Sequence, residues 1–371
     1  MPVNSVSNVS HVNAMTARLH TPALLVDLDR LRGNIDRMQR ACDAGGVELW
    51  PHAKTHKCVE IARMQLDAGA AGLCCAKLSE AEALLPCGVR RLFVAHSLVG
   101  AGLAERLRAL AGRLDELIVA CTSEAHFPAL EALLRAAGLR LPVLMAVDTG
   151  LGREGVRDIA AARRLAQRIE ASPAMTLHGL YTHEGHAYTS PEAPEACAAE
   201  ALRAASAVRD ALRPALPLWP GCSVTAEAMA RMGGVHAVRP GTYAFGDLSL
   251  ARTRPVMPWS SVALSVLATV VDRPEPGLAI VDAGSKCFSS DRTPDGLAAA
   301  DLEGRDLLVR RLSEEHGFVT GGDADALRVG DRLRLVPAHV CPAVNLADRL
   351  TVVSGDAVVA SWPVAARGCV W

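Results

Sequence analysis

A short segment after an apolar strand combines two lysines with two histidines, and one lysine suits covalent chemistry. The segment, Leu49 to Lys57, reads Leu-Trp-Pro-His-Ala-Lys-Thr-His-Lys. In an extended chain, side-chain alternation places His52, Lys54 and His56 on one face. Lys54 follows directly on a buried strand, where desolvation favours the neutral, nucleophilic amine. We therefore favour Lys54 as the attachment point of a cofactor over the alternative, a basic surface loop.

A histidine and a cysteine, His339 and Cys341, stand two residues apart in the sequence Pro-Ala-His-Val-Cys-Pro. On a strand this spacing places both side chains on one face, where they can ligate a divalent metal. The soft thiolate favours zinc, and an open site completed by water or substrate is typical of catalytic metals. A core histidine beside a buried cysteine is the alternative.

Two glycine-containing loops have the composition of a phosphate cradle. Gly-Cys-Ser-Val-Thr carries Ser223 and Thr225, and Arg-Pro-Gly-Thr-Tyr carries Gly241, Thr242 and Tyr243. Glycine lets backbone N–H groups approach phosphate oxygens, and the hydroxyls add donors. Either loop alone is ordinary turn chemistry. Because both follow predicted strands, they indicate a bound phosphate group.

Two further loops add polar groups after predicted strands. The loop 148–153 has two glycines that permit a tight turn before an arginine suited to a phenolate-like oxygen, although a helix start with an exposed arginine is the alternative. The segment 181–186 contains two histidines, for which buried structural histidines are the alternative. We predict a catalytic group that consists of Lys54, His52, Arg153 and His183.

These side chains follow the ends of short apolar strands that alternate with alanine- and leucine-rich helices. This alternation predicts parallel strands joined by right-handed crossovers. Eight units predict an α/β fold, the (β/α)8 or TIM barrel, with catalytic groups just after the strand ends. A doubly wound sheet would concentrate its polar groups at one crossover. The predicted strands are 47–50, 72–76, 92–96, 117–121, 143–147, 177–182, 218–221 and 237–239.

From Pro255 the sequence changes to alternating, β-branched segments separated by Gly and Pro turns, which predicts an antiparallel β domain. We expect an N-terminal tail at 1–20, the cofactor-binding barrel at 21–254 and the metal-binding β domain at 255–371. The first strand, which starts near Thr21, is compatible with either domain. The predicted strands of the β domain are 262–271, 278–282, 307–312, 332–336, 350–353 and 357–363.

Composition excludes several classes of partner. The chain has 371 residues and a formal net charge of -1, so no field attracts nucleic acid or an acidic membrane. No apolar run approaches the roughly 20 residues that span a bilayer. The eleven cysteines are scattered through apolar segments, as buried thiols are in cytosolic enzymes. We predict a cytoplasmic protein.

Seven segments together resemble the metal-activated pyridoxal-phosphate enzymes that include D-threonine aldolase and D-serine dehydratase. They are 51–57 (PHAKTHK), 148–153, 181–188 (YTHEGHAY), 241–247, 282–286, 315–317 and 339–346. The resemblance runs from about Thr21 to Gly368. It implies an alanine-racemase-type barrel followed by a β domain, and a head-to-tail homodimer.

The same resemblance implies roles for individual residues. Pyridoxal 5'-phosphate would be bound covalently by Lys54, with Arg153 near its phenolate oxygen. Its phosphate would be held by the loops at Ser223 and at 241–242. A divalent metal, zinc before manganese or magnesium, would be held by His339 and Cys341.

The implied reaction is a lyase reaction on a small D-β-hydroxy-α-amino acid. The cofactor ring accepts electrons from the bond broken at Cα, and the metal binds the β-hydroxyl. Deprotonation of that hydroxyl gives glycine and an aldehyde. If Lys54 instead removes the Cα proton, the hydroxyl leaves and a keto acid and ammonia result.

The motifs divide between these two reactions. D-threonine aldolases resemble this chain at 339–346 and at 365–368, but they usually have Asp where Cys341 stands and Tyr at His183. D-serine dehydratases typically have the thiolate and the Tyr-x-His-x-Gly-His pattern. We predict retro-aldol cleavage, with dehydration of D-serine or D-3-hydroxyaspartate as the alternative. A racemase would need a tyrosine base and no metal, and a non-catalytic pyridoxal-phosphate-binding protein would usually lack the second domain.

Overall fold

The computed structural model describes residues 18–371, so the predicted tail lies outside the described residues as far as residue 17. The chain divides into two compact units. One contains residues 35–241 together with Cys369–Trp371. The other contains residues 18–34 together with Thr242–Gly368.

The unit of residues 35–241 is the predicted ring of eight short parallel strands. Six strands form one sheet and the other two pair with each other. Backbone hydrogen bonds close the ring, since Cys74 N–H donates to Pro51 O at 2.9 Å and His236 N–H donates to Leu218 O at 2.9 Å. With β1 (Ala23–Asp27) in the other unit, the ring consists of β2 (Glu48–Leu49), β3 (Leu73–Cys75), β4 (Arg91–Val94), β5 (Glu116–Cys121), β6 (Leu141–Ala146), β7 (Met175–Tyr181), β8 (Leu218–Trp219) and β9 (Ala237–Val238).

Helices follow the strands along the chain. They are α1 (Leu28–Gly45), α2 (Val59–Asp67), α3 (Leu78–Leu84), α4 (Ala104–Ala111), α5 (Phe127–Ala137), α6 (Ile159–Ala171), α7 (Pro194–Leu212) and α8 (Ala226–Arg231). Helix α6 shows how the sequence specifies such a helix. Its N-cap Asp158 accepts the N–H of Ala161 at 2.7 Å, and Ala162, Leu165 and Ile169 form its buried face. No helix within residues 18–371 is long and apolar enough to cross a membrane.

Aromatic side chains fill the interior of the ring. The rings of Trp50 and Trp219 lie 4.6 Å apart, and Phe93 meets Tyr181 edge to face at 5.3 Å. All four are buried in one cluster with smaller apolar residues. The interior of the ring is therefore a packed core, and the loops after the strands lie at one end of it, where barrel enzymes have their active sites.

The other unit is a β domain in which β1 pairs with the strands at Leu264–Glu275 (β10) and Arg349–Ser354 (β16). Six strands close into a barrel in the order β11-β14-β13-β12-β15-β10, and β1, β16 and β17 extend the sheet from β10. All pairs are antiparallel except β1 with β16, which is parallel. The strands are β10 (Leu264–Glu275), β11 (Leu278–Val281), β12 (Ala299–Asp301), β13 (Leu308–Leu312), β14 (Gly317–Thr320), β15 (Arg332–Pro337), β16 (Arg349–Ser354) and β17 (Ala357–Pro363), with helices α9 (Ser285–Phe288) and α10 (Val340–Leu346).

Candidate active site

Lys54 lies on a turn just beyond the carboxyl end of β2. The prediction of an extended segment here was wrong, because the chain forms a 3-10 helix from Ala53 to Thr55. Ala53 O accepts the N–H groups of His56 at 3.2 Å and Lys57 at 2.8 Å, which curls the backbone around Lys54. His52, Lys54 and His56 therefore do not share one strand face. His56 is fully buried, whereas Lys54 and His52 are partly exposed.

His56 is a structural residue that fastens this turn to α2. Its Nδ1 accepts the Cys58 N–H at 3.1 Å, so the proton lies on Nε2, which donates to Gln65 Oε1 at 3.1 Å. Burial lowers the pKa of His56 to about 4, although both hydrogen bonds act in the opposite direction. The imidazole is therefore neutral at physiological pH.

Two other neutral imidazoles lie close to Lys54. His183 Nδ1 bonds to the Gly221 carbonyl, so this nitrogen carries the proton and Nε2 keeps its lone pair. Burial, and then the charges of Lys54, Arg239 and Arg153, lower the pKa of His183 to about 3. Burial and the same lysine also hold the pKa of His52 well below its usual value.

The second histidine of the 181–186 segment points elsewhere. His186 lies against Gly150, where an added Cβ would be 3.3 Å from the imidazole Cε1. Its Nδ1 is buried and has no hydrogen-bond partner among residues 18–371, and the same is true of His52 Nδ1. Two ring nitrogens in the barrel unit are thus buried without a hydrogen-bond partner among the described residues.

Arg239 is a cation that sequence reasoning did not assign to the site. Its side chain is buried, and it donates to the carbonyls of Thr182 and Trp219, the latter at 3.2 Å. Its charge acts on both His52 and His183. The available signal was an arginine directly after the last buried strand, a position that needs a specific partner because isolated charges are rarely buried.

Arg153 lines a narrow cleft beyond the carboxyl ends of β6 and β7. Asp148, Glu154, Tyr181 and His183 also line this cleft. The Arg153 side chain is 55% exposed and its Nη2 lies 3.3 Å from Glu154 Oε1. The structure therefore brings Arg153 to His183 and leaves its guanidinium accessible.

The two glycine loops meet at the turn that carries Lys54. Gly241 N–H donates to Ser223 Oγ at 3.1 Å. A Cβ on Gly241 would overlap Thr55 Oγ1, so only glycine allows this approach. Thr225 is turned away from them, since its hydroxyl donates to the buried Glu184 at 3.3 Å.

His339 and Cys341 lie in the β domain, but the prediction that they share a strand face was wrong. Strand β15 ends at Pro337, His339 is the N-cap residue of α10, and Cys341 lies in the first turn of that helix. The chain turns here because the buried Asp247 accepts the Val340 N–H at 3.1 Å. The helix N-terminus still brings the imidazole and the thiol into contact.

The surroundings of this pair are acidic and polar. His339 Nδ1 lies 2.7 Å from Asp291 Oδ2, and Thr242 Oγ1 lies 3.7 Å from Cys341 Sγ. Burial opposes the shift, but Cys341, Asp247 and Asp291 together raise the pKa of His339 to about 10. Burial also raises the pKa of Asp247 to about 6. Tyr243, next in sequence to Thr242, is buried in this unit.

The residues present fit both implied groups. Lys54, Arg239 and Arg153 concentrate positive charge around His183, which suits a cofactor that carries a phosphate and a phenolate. Within residues 18–371 no group of three or more His, Cys, Asp or Glu side chains is arranged to hold a metal. The pair His339 and Cys341 supplies one nitrogen and one sulfur donor, and such donors suit zinc.

The chain is similar to known proteins over nearly its whole length. Residues 26–249 match the family described as alanine racemase, N-terminal domain, and residues 263–353 match a putative serine dehydratase domain. A D-threonine aldolase from Arthrobacter sp. is 35% identical over 95% of this chain and 94% of its own length. A D-threo-3-hydroxyaspartate dehydratase from Delftia sp. (strain HT23) is 36% identical over 93% of this chain and 97% of its own.

Solved structures of similar proteins share the fold of this chain. The D-threonine aldolase from Filomicrobium marinum superposes with a TM-score of 0.84 at 32% identity, over 95% of this chain and 96% of that one. A cysteine-to-alanine mutant of D-threo-3-hydroxyaspartate dehydratase, in a metal-free form, has a TM-score of 0.84 at 33% identity, over 93% and 97% of the two chains. The alanine racemase from Bacillus anthracis shares the fold, with a TM-score of 0.66 at 17% identity over 92% of this chain and 97% of that one.

Proposed function

We propose a reaction for this chain from the premise that it belongs to the family defined by the alanine racemase N-terminal domain. The chain is a lyase of D-β-hydroxy-α-amino acids, and its barrel is of the pyridoxal-phosphate-binding type. The reaction we propose is retro-aldol cleavage to glycine and an aldehyde. The observation that carries this proposal is Lys54 on a turn at the carboxyl end of a barrel strand, beside two neutral imidazoles.

Pyridoxal 5'-phosphate, when bound, supplies an electron sink for the bond broken at Cα. The residues that would hold it are Lys54 through its amine, Ser223 and Gly241 at the phosphate, and Arg153 at the phenolate oxygen. Support comes from the convergence of the Ser223 and Gly241 loops on the Lys54 turn. Arg239 contributes a fixed positive charge beneath this turn and has little freedom to move, because its donors are already bonded to backbone carbonyls.

His183 is our candidate for the base that takes the proton from the substrate's β-hydroxyl. Its Nδ1 is fixed on the Gly221 carbonyl, so the lone pair of Nε2 is the free acceptor. Burial, and then the charge of Lys54, lower its pKa and keep the ring unprotonated across the physiological range. Because such a ring is a weak base, the proton transfer also depends on acidification of the hydroxyl by the divalent ion proposed for the β domain. His52, whose pKa is also lowered by burial, would be a second neutral imidazole beside Lys54.

The metal proposed for the β domain is zinc, held by His339 and Cys341, with manganese or magnesium as alternatives. Asp291 supports His339 by accepting from Nδ1, and this leaves the other ring nitrogen for the metal. Thr242 lies next to the thiol and limits its position. A divalent ion held by this pair would act as a Lewis acid, which lowers the pKa of a hydroxyl group that it binds.

Dehydration is the second candidate, and Cys341 favours it. A thiolate at this position suits the zinc that we propose, and the similar D-threo-3-hydroxyaspartate dehydratases include a cysteine-to-alanine mutant in a metal-free form. In this reaction Lys54 would remove the Cα proton and the β-hydroxyl would leave, giving a keto acid and ammonia.

Product analysis separates the two reactions. Purified protein with pyridoxal phosphate and zinc is incubated with D-threonine, D-serine and D-threo-3-hydroxyaspartate. Glycine with an aldehyde supports aldol cleavage, and ammonia with a keto acid supports dehydration. Absence of both products from all three substrates, in protein that binds the cofactor, would contradict the proposed function.

Two remaining features stay proposals. A head-to-tail homodimer is proposed from the family resemblance, and light scattering on the purified protein tests it, since a monomer mass would refute it. The cytoplasmic location also stays a prediction, which fractionation of the source cells would test.

A further inference from the structure

Lys57 and Glu80 form a buried ion pair below the turn that carries Lys54. The Nζ of Lys57 lies 3.6 Å from Glu80 Oε1, and the two side chains are only 6% and 1% exposed. Glu80 Oε2 also accepts the Ala76 N–H at 2.6 Å. The Lys57 amine donates to the Cys369 carbonyl at 3.3 Å as well. Both charges are thus held in fixed positions within the barrel unit.

The backbone of Lys57 is part of the same turn as Lys54. Its N–H donates to Ala53 O at 2.8 Å and so closes the turn. Lys57 has a φ of 50°, a left-handed conformation that is unusual for a residue with a side chain. From this conformation the side chain of Lys57 forms its buried ion pair with Glu80.

Glu80 is also within electrostatic reach of Lys54. Burial raises the pKa of Glu80, while the charges of Lys57 and then Lys54 act to lower it. The charges of two lysines therefore act on the Glu80 carboxylate, and Lys57 is the one that forms an ion pair with it. The other titratable groups on which the Lys54 charge acts are His52, His183 and Cys74, and Glu80 also acts on Cys75.

We propose that Lys57 is a positioning residue that occupies the Glu80 carboxylate and thereby leaves the amine of Lys54 uncommitted for the cofactor aldehyde. The inference rests on the proposed function, in which Lys54 binds that aldehyde. Adduct formation requires the neutral amine: nitrogen forms a bond to the aldehyde carbon, and the carbonyl oxygen leaves as water. A carboxylate paired with Lys54 would hold it as an ammonium ion and oppose this step.

The test measures adduct formation by absorbance as a function of pH, after pyridoxal phosphate is added to protein stripped of cofactor. In Lys57→Met we expect the pH midpoint to rise by roughly one unit, the low end of the effect of a nearby opposite charge. Glu80→Gln should lower it, and the double variant should return it to the wild-type value. Lys57→Arg, which keeps the charge, should stay close to wild type.

Controls separate this effect from loss of structure. Arg37→Met breaks another ion pair of the barrel unit, with Glu227 at 2.7 Å, and should leave the midpoint unchanged. Circular dichroism verifies folding. If Lys57→Met does not fold, Glu80→Gln and the double variant still decide the question.

An unchanged midpoint in Glu80→Gln, or a double variant that is shifted as far as Lys57→Met, would overturn the proposal. If wild-type protein forms no adduct at all, the proposed function fails instead.

Discussion

Replacing Asp291 with alanine should weaken metal binding by the pair His339 and Cys341. The Asp291 carboxylate lies 2.7 Å from His339 Nδ1, and this contact selects the nitrogen left for a metal. A metal-bound histidine generally keeps such a partner on its second nitrogen, because the partner fixes the ring and increases its basicity. Without it, the imidazole must lose rotational freedom when the metal binds.

The size of the effect follows from the exposure of the pair. Removal of a carboxylate that supports a metal-bound histidine typically costs about 10- to 100-fold in affinity. The two side chains are 42% and 47% exposed, so water screens their interaction and the lower end applies. We expect about a tenfold loss, which corresponds to about 1.4 kcal/mol of binding free energy. Asp291→Asn keeps an acceptor oxygen without the charge and should lose less.

The assay is competition for Zn²⁺ against a chelating dye, repeated with Co²⁺, whose spectrum reports sulfur ligation. Asp348→Ala is the matched control, since it removes an exposed carboxylate of the same unit that pairs with Arg367 at 3.1 Å. Affinities within twofold of wild type for both Asp291 variants would refute the reasoning. A Co²⁺ spectrum without a sulfur band in wild-type protein would remove Cys341 from the site.

Three further predictions concern the turn at Lys54. Lys54→Ala should abolish the absorbance of the bound cofactor while leaving the circular dichroism spectrum unchanged, and a retained band would exclude this lysine. Gly241→Ala should lower pyridoxal-phosphate affinity by about tenfold or more, because relieving the overlap of its Cβ with Thr55 Oγ1 displaces the turn and costs about 1–3 kcal/mol. Gly33→Ala is its control, since a Cβ there meets nothing within 4 Å, and equal affinities of the two variants would contradict the overlap argument. The folded-state pKa of His56 is about 4 against an ordinary 6.5, so its contribution to stability is complete above pH 6.5 and is lost as the pH falls toward 4. Between pH 8 and pH 5 this loss is about 2 kcal/mol in unfolding free energy, and His56→Gln should show a correspondingly smaller acid dependence in urea titrations; an identical dependence would contradict it.

The barrel was predictable because each of its strands is an apolar run too short for a helix. All eight strands occur where the sequence indicated them, within a few residues. The missed strands of the β domain have weaker patterns. Ala299–Asp301 has three residues with two small alanines, and Gly317–Thr320 starts at a glycine. Phe318, Val319 and Thr320 do favour a strand, but neither segment is long enough to show an alternation, so their neighbours in the closed sheet decide their conformation.

The errors in the candidate site have a common cause. Both Lys54 and His339 were assigned to extended chain from local spacing, and both lie where a strand has just ended. Distant residues impose the turn at His339: Asp247, far away in sequence, accepts the N–H that follows it. Periodicity within a segment cannot show such a partner. The residue types remained informative, because the chemistry depends on which side chains converge and not on the element that carries them.

The buried charge of Arg239 also depends on residues that are distant in sequence. Burying a guanidinium is costly unless its donors are bonded, and here the carbonyls of Thr182 and Trp219 accept from it. These carbonyls follow or end neighbouring strands of the ring, so the arginine can be satisfied only once the barrel has closed. Burial of the imidazole, and then the charges of Lys54 and Arg239, lower the pKa of His183. The closed barrel thus sets the protonation state of this histidine, and a one-dimensional motif shows neither its burial nor the buried charge beside it.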